Sequence, residues 1–356
     1  TQASLAMVVV QTAGASRYAF SAYGTAALEG VTGVTVSGDV GVRINTTGAA
    51  VSEEIGGVPL VFADGVAIKR FEGTNLVLAL SGFVELRGDF VFEQQGSGDE
   101  QKLLLGASGA SAFLGVAGQG LRLSGLQLGM LLLANDASAS SQYALHAVGQ
   151  VALEGLAVLT LSGSVQVRAN HTGSAVNERV AGVDVVFADG TAISEITGVG
   201  LALDVAGFVS LSGNFSFAQS GTSPTSQLRI GATQVSAFLG AGGGSADAMG
   251  VQLNGGELGV VLYEGASGYS YALQARGELS LVGVEGLSLS GEGLVRRNAT
   301  GLALDETMTV GTQQMQMITL DINAYIITSR HLRQRLQLLF SCARTGQINH
   351  RTCGTG

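Results

Sequence analysis

The chain has 356 residues with 54 glycines, two prolines, two cysteines and no tryptophan, and 13% of its residues are charged. A hydrophobic fraction of 46% and a mean hydropathy of +0.37 exclude a disordered, charge-driven chain, and glycine without proline or a three-residue period excludes collagen. The formal net charge of −9 argues against a nucleic-acid partner, which requires clustered lysine and arginine.

Charge and cysteine are unevenly distributed along the chain. Residues 1–310 carry 13 basic and 26 acidic residues, whereas Cys342 and Cys353 both lie in the basic segment that follows. A long body without thiols is typical of extracellular bacterial proteins, so we expect an extracellular or cell-surface location. No run of 18 apolar residues occurs, and no transmembrane segment is expected.

Self-comparison indicates repeats of about 125 residues. Tyr18-Ala19-Phe20 recurs as Tyr143-Ala144-Leu145 and Tyr271-Ala272-Leu273, and Phe62-Ala63-Asp64-Gly65 recurs as Phe187-Ala188-Asp189-Gly190. The matches keep their order along the chain, so chance does not account for them. The predicted divisions are the end of a preceding repeat at 1–15, repeat 1 at 16–140, repeat 2 at 141–268, the start of repeat 3 at 269–310, and an atypical basic tail at 311–356.

Each repeat is predicted to form strands. Residues 34–44 alternate valine with small or polar residues, and residues 76–93 do likewise, with a break of phase near Gly82 that predicts a bulge or bend. Residues 121–130 continue the pattern, giving eight or nine strands per repeat. Short turns between consecutive strands predict antiparallel pairing.

The sequence therefore predicts an all-β, elongated antiparallel structure of tandem repeats. Two architectures are compatible with it, namely one sheet wound continuously along the array and a series of β-sandwich or barrel units. The absence of a linker at the repeat junctions favours the continuous sheet.

The segment after residue 310 differs in composition. Residues 312–345 contain no glycine, and Leu332, Leu336, Leu339 and Phe340 fall on one face of a helix that Ser329 would cap. We expect a short helical or irregular tail. It is either a capping helix or a segment foreign to the repeat array.

The strongest local motif is Arg-x-Asn-x-Thr-Gly-x-Ala-aliphatic-x-Glu, which begins at residues 43, 168 and 296. The structural interpretation is a turn with Arg and Glu paired across it, because asparagine and glycine accept positive φ and threonine caps loops. The functional interpretation is a surface loop that binds an ion or glycan once per repeat. The candidate residues are Arg43, Asn45, Thr47 and Glu53 in the first copy, Arg168, Asn170, Thr172 and Glu178 in the second, and Arg296, Asn298, Thr300 and Glu306 in the third.

Catalytic and cofactor motifs are not found. His146 and His171 have no histidine counterpart in the other repeats, and no nucleophile elbow, phosphate-binding loop or metal-spaced cluster occurs. We predict no enzymatic activity and no cofactor. Calcium is the alternative, but a calcium loop supplies several closely spaced oxygen ligands, whereas each Phe-Ala-Asp-Gly turn has a single aspartate.

The Leu-Ser-Gly-x-Phe-x-Phe run at 211–217 and the Asn-x-Thr-Gly loop resemble repeats of very large bacterial surface or secreted proteins of the adhesin-like kind. The resemblance covers residues 1–310 and implies an extracellular structural or adhesive role. The expected partners are neighbouring repeats, other copies of the chain, or surface glycans. Three functions follow as hypotheses: a structural module of a surface or filament-forming protein, an adhesin acting through the repeated loop, and an amphipathic β groove that carries lipid.

Overall fold

The fold is given by a computed structural model. It describes residues 3–12, 14–27, 34–80, 84–96, 101–116, 118–133, 142–221, 226–265, 268–285, 287, 290–311, 313–320 and 325–329. Every regular element in these ranges is a β-strand, as the alternating sequence pattern predicts. No helix among the described residues is long and apolar enough to cross a membrane.

Sixteen strands form one long sheet in which each strand is antiparallel to the next. These strands are β1 (Ala3–Thr12), β2 (Ala15–Ala27), β3 (Val34–Asn45), β6 (Ile68–Leu80), β7 (Val84–Gln95), β8 (Lys102–Val116), β9 (Gln119–Leu133), β10 (Gln142–Glu154), β11 (Leu159–Asn170), β14 (Ile193–Val205), β15 (Val209–Ser220), β16 (Gln227–Ala241), β17 (Met249–Gly265), β18 (Gly268–Val282), β19 (Ser290–Asn298) and β22 (Tyr325–Ser329).

Three short hairpins interrupt this order, one in each repeat. The first hairpin consists of β4 (Val51–Ile55) and β5 (Val58–Phe62), the second of β12 (Val176–Val180) and β13 (Val183–Phe187), and the third of β20 (Leu304–Val310) and β21 (Gln313–Leu320). Each hairpin folds back over strands that precede it, and each covers one hydrophobic cluster. We call the side of the long sheet that the hairpins cover the hairpin face and the other side the open face.

The long sheet runs through both repeat boundaries. β9 of repeat 1 pairs with β10 of repeat 2 from Leu133↔Gln142 to Gly120↔Glu154, and β17 pairs with β18 along a similar length. These pairings resemble those within a repeat. Sixteen of the described strands therefore form one continuous sheet across the repeats, and not a series of sandwich or barrel units.

The array extends beyond the boundary predicted at residue 310. Residues 313–320 form the second strand of the third hairpin, and residues 325–329 form β22, which pairs with β19 as β14 pairs with β11. The comparison of repeats missed these strands because the segment lacks the glycines that mark matching turns. The apolar side of the predicted helix, at residues 332–340, lies outside the described residues.

A row of β-bulges crosses the middle of the long sheet. Six strands contain a residue with φ between 51° and 59° at a register shift, and the extra residue keeps apolar side chains on one face through the irregularity. These residues are Asn75, Gly109, Gly125, Gly200, Gln234 and Gly255. The bulge predicted near Gly82 falls at residues 81–83, outside the described ranges, and the described shift in that region lies between Gly73 and Leu76.

Candidate functional site

The repeated loop is built around a buried asparagine. Asn45 and Asn170 each have 0% exposure, and Asn298 has 3%. Asn170 donates through Nδ2 to the carbonyls of Ser174 and Asp189, both at 3.0 Å, and accepts through Oδ1 from the amide of Thr172 at 3.1 Å. Asn45 makes the equivalent bonds in the first copy. The amide therefore holds the loop to the segment that follows the hairpin.

The threonine of the motif completes the turn. Thr172 Oγ1 lies 2.8 Å from Asn170 Oδ1 and accepts from the amide of Ser174 at 3.2 Å. Thr47 and Thr300 occupy the same positions in their copies, at 2.7 Å from Asn45 and Asn298. These bonds support the turn interpretation, because they engage the polar groups that a surface ligand would need.

Two glycines let the loop and the Phe-Ala-Asp-Gly turn touch. A Cβ atom on Gly190 would lie 2.2 Å from the carbonyl oxygen of Gly173, and one on Gly65 would lie 2.3 Å from that of Gly48. The aspartate beside it closes its own turn: Asp189 Oδ1 accepts from the amide of Thr191 at 2.9 Å. That amide, and then the Thr191 side chain, lower the pKa of Asp189. The described residues contain no group of three acidic, histidine or cysteine side chains positioned for a metal ion.

The arginine and glutamate of the motif do not pair with each other, so that part of the turn interpretation is wrong. Arg168 donates to the carbonyl of Val186 at 3.2 Å, and its guanidinium lies 5.0 Å from the centre of the Phe187 ring. Arg43 bonds and stacks in the same way on β5, 4.9 Å from the ring of Phe62. The arginine thus fastens the second strand of the hairpin to the sheet through a cation–π contact.

The third copy departs from this arrangement. Arg296 Nε, Gln274 Oε1 and Thr233 Oγ1 are buried and have no hydrogen-bond partner among the described residues. They line a cavity of about 340 Å³ beside the start of β21. The longer third hairpin places Gln313 and Gln316 at this cavity, where the shorter second hairpin has no counterpart.

The glutamate of the motif reaches into the preceding repeat. Glu178 Oε1 lies 2.6 Å from Lys102 Nζ on β8. Glu306 Oε1 accepts from Tyr263 Oη at 2.9 Å and from Gln227 Nε2 at 3.3 Å. Lys102 and Gln227 occupy equivalent positions of their repeats, 125 residues apart. Sequence comparison found the glutamate but not its partner, because the partner belongs to another part of the array.

The open face carries two rows of apolar residues, and within each row every residue is paired with the next across neighbouring strands. The sequence pattern predicted only that apolar residues alternate along each strand. The side chains are partly exposed; Phe92 is 44% exposed and Ile196 51%. Each residue of the second row follows its counterpart in the first row by 125 to 130 residues. The first row is Val42, Phe71, Phe92, Leu105, Met130 and Leu145, and the second is Val167, Ile196, Phe217, Ile230, Val260 and Leu273.

A cavity of about 430 Å³ lies on this face across β15 to β19. Leu211, Phe215, Leu253 and Leu258 are among its apolar lining residues. Glu257 and Arg276 also border it, but their side chains alternate with those of Leu258 and Ala275 and point to the hairpin face. There they bond to each other in a bidentate pair at 2.9 Å and line the 340 Å³ cavity.

Comparison with protein-family models, with curated proteins and with solved structures finds no match to this chain. The assignment of a function therefore depends on the geometry of the described residues.

Proposed function

We propose that the chain is a non-enzymatic structural module of an extended, extracellular surface protein, in which repeats join edge to edge into one sheet. The observation that carries the proposal is the continuity of pairing at the repeat boundary, where β9 and β10 pair along their length. The second hairpin strengthens the same boundary because it belongs to repeat 2 and packs on β8 and β9 of repeat 1. An array of this kind gains length with each repeat, and neighbouring repeats stabilise one another.

The test is whether damage in one repeat is felt in the next. A Cβ atom on Gly106 of β8 would lie 2.3 Å from the Cβ of Ala181, at the turn of the second hairpin. Gly106→Val should therefore increase amide hydrogen exchange in β12 and β13 at least tenfold, although the substitution lies in repeat 1. Leu103→Val, on the opposite face of the same strand, is the control and should leave the exchange of the hairpin unchanged. Unchanged hairpin exchange in Gly106→Val would contradict the proposal.

A second observation favours the lipid hypothesis as an additional function of the open face. The 430 Å³ cavity has the size of a small-ligand site, and the side chains that line it from the open face are apolar, among them Leu211, Phe215 and Leu258. A peptide or glycan would leave polar groups without partners there, whereas an acyl chain has none. The adhesin hypothesis has no comparable support, because the asparagines of its loop are buried.

Acyl-chain binding is testable with a fluorescent fatty acid. The wild-type chain should bind cis-parinaric acid saturably, and Leu258→Arg should reduce its affinity at least tenfold. Val186→Arg, on the exposed outer side of the second hairpin, is the matched control because it adds the same charge away from the cavity. Equal affinities for the three proteins would contradict binding at the open face.

A further inference from the structure

The first hairpin lacks a neighbour that the other two hairpins have. β12 packs against both β8 and β9, and β20 packs against β15 and β16. β4 packs against β1, which is equivalent to β9, and β1 is the edge of the described sheet. The position that β8 occupies beneath the second hairpin is thus open beneath the first.

The glutamate of the repeated motif also lacks, in the first hairpin, a neighbour that it has in the other two. Glu178 and Glu306 are partly buried and bond to side chains of the preceding repeat, at 2.6 Å from Lys102 and 3.3 Å from Gln227. Glu53, at the equivalent position of β4, is exposed and forms no ion pair with a described residue.

Burial differs along β4 and at the start of β5, where Val58 is partly buried and its counterpart Val183 is 5% exposed. Val176 and Val180 of β12 are 6% and 2% exposed, whereas their counterparts Val51 and Ile55 are only partly buried. On the other strand of the hairpin, Leu60 is fully buried. The missing cover therefore lies under β4 and the hairpin turn, beyond the edge of β1.

A glycine marks the strand that fills this position in the later repeats. A Cβ on Gly106 of β8 would lie 2.3 Å from Ala181, and one on Gly231 of β16 would lie 2.5 Å from Val310. Each glycine is four residues after the side chain that bonds the glutamate. The hairpin requires both features, a cation or amide for its carboxylate and a residue without a side chain under its turn.

We propose that β1 and the first hairpin form a docking surface for the β8-type strand of a further repeat. The incoming strand adds antiparallel to β1 with its Lys102-type residue opposite Val10 and its Gly106-type residue opposite Ala6, the register that β8 keeps with β9. Its basic group then bonds Glu53, and its glycine accommodates the turn at Gly56. This inference rests on the proposed array and names the strand that the array adds.

The other described edge of the sheet does not supply this strand. β22 pairs with β19 as β14 pairs with β11, so β22 is equivalent to β6 and β14 and not to β8. Direct pairing of β22 in one copy with β1 in another would place the wrong strand beneath the first hairpin.

A synthetic peptide with the sequence of β8, residues 102–116, supplies the partner directly. The chain should bind a fluorescent form of it saturably, and the amides of β1 should become protected from hydrogen exchange. A Gly106→Val peptide should bind about fivefold more weakly, because valine would press on Ile55 and the backbone of Gly56. Their counterparts Val180 Cγ1 and Ala181 N lie 3.2 and 3.3 Å from a Cβ at this position. A Lys102→Glu peptide should bind about fivefold more weakly, as expected for loss of one partly exposed ion pair.

Charge reversal in the protein makes the test specific. Glu53→Lys should weaken the wild-type peptide and restore binding of the Lys102→Glu peptide, and it should fold because Glu53 is exposed. Glu178→Lys is the matched control and should change neither affinity, because its hairpin already covers β8. Absence of peptide binding, or binding indifferent to Gly106 and to the charge swap, would overturn the docking surface. If the peptide does not bind but amide exchange in the second hairpin still increases in the intact Gly106→Val chain, the docking surface is wrong and the proposed array stands.

Discussion

Glu178 Oε1 on the second hairpin lies 2.6 Å from Lys102 Nζ on β8, so an ion pair joins repeat 2 to repeat 1. Both side chains are about three-quarters buried, at 27% and 28% exposure. A double-mutant cycle with Lys102→Ala and Glu178→Ala should give a coupling of about 1 kcal/mol in the free energy of unfolding, at the upper end for partly exposed pairs.

The pair between Arg179 and Asp184 is the control for this cycle. It has a similar separation of 2.8 Å, but its side chains are 68% and 61% exposed, and it lies within the hairpin. Its coupling should fall near zero because water and salt screen it. A coupling as small for Lys102 and Glu178 would show that the cross-repeat contact adds nothing to stability.

The loop asparagine should be a stability determinant. Asn170→Ala removes the donor to the carbonyls of Ser174 and Asp189 and the acceptor of the Thr172 amide, all in a buried setting. Leaving such groups unsatisfied costs about 1–3 kcal/mol. We expect the urea midpoint of unfolding to fall accordingly.

Ser174→Ala is the control in the same loop. Ser174 takes part through its backbone amide and carbonyl, and repeat 1 has Ala49 at the equivalent position. Its stability should therefore match that of the wild type. If Asn170→Ala were equally stable, the buried bonds would not hold the loop, and a surface role for the asparagine would regain support.

The bulge row should tolerate some residues and reject others. Gly200 has a φ of 58° and lies in open space, so only its backbone conformation constrains it. Gly200→Val should destabilise the sheet by about 1–2 kcal/mol, because β-branched residues avoid left-handed conformations. Gly200→Asn should be tolerated, since Asn75 occupies the equivalent position of β6 with a φ of 51°. Equal thermal midpoints for the two variants would show that the conformation relaxes.

A polar side chain supports the bulges at Asn75 and Gly200. Asp89 Oδ1 accepts from the amide of Asn75 at 2.8 Å, and Asn214 Oδ1 accepts from that of Gly200 at the same distance. Gly88-Asp89-Phe90 recurs as Gly213-Asn214-Phe215 in the next repeat, so this match marks the two bulges. Its phenylalanine lies on the open face, at Phe90 and Phe215.

Local alternation and self-comparison predicted the strands, their antiparallel order and the repeat length, because those properties depend on residues close in sequence. The partners of the motif residues were not predictable in this way. Arg168 was expected to pair with Glu178, yet it stacks on Phe187, while Glu178 contacts Lys102, 76 residues earlier. These contacts arise because the hairpin folds back over the preceding repeat, and no local pattern encodes that direction.

Tyr263 provides a pH test of the boundary between repeats 2 and 3. Its hydroxyl donates to Glu306 of the third hairpin at 2.9 Å, and burial, followed by this bond and the charge of Glu306, raises the pKa of Tyr263 to about 12. The pKa in the unfolded chain is about 10. Because the folded chain holds the proton more tightly, the contribution of Tyr263 to stability is complete below pH 10 and is lost as the pH rises through 12. The difference in unfolding free energy between the wild type and Tyr263→Phe should therefore shift in favour of the variant between pH 10 and 12, as followed by urea unfolding. A difference that stays constant over this range would mean that the hydroxyl titrates as it does in the unfolded chain and does not sense Glu306.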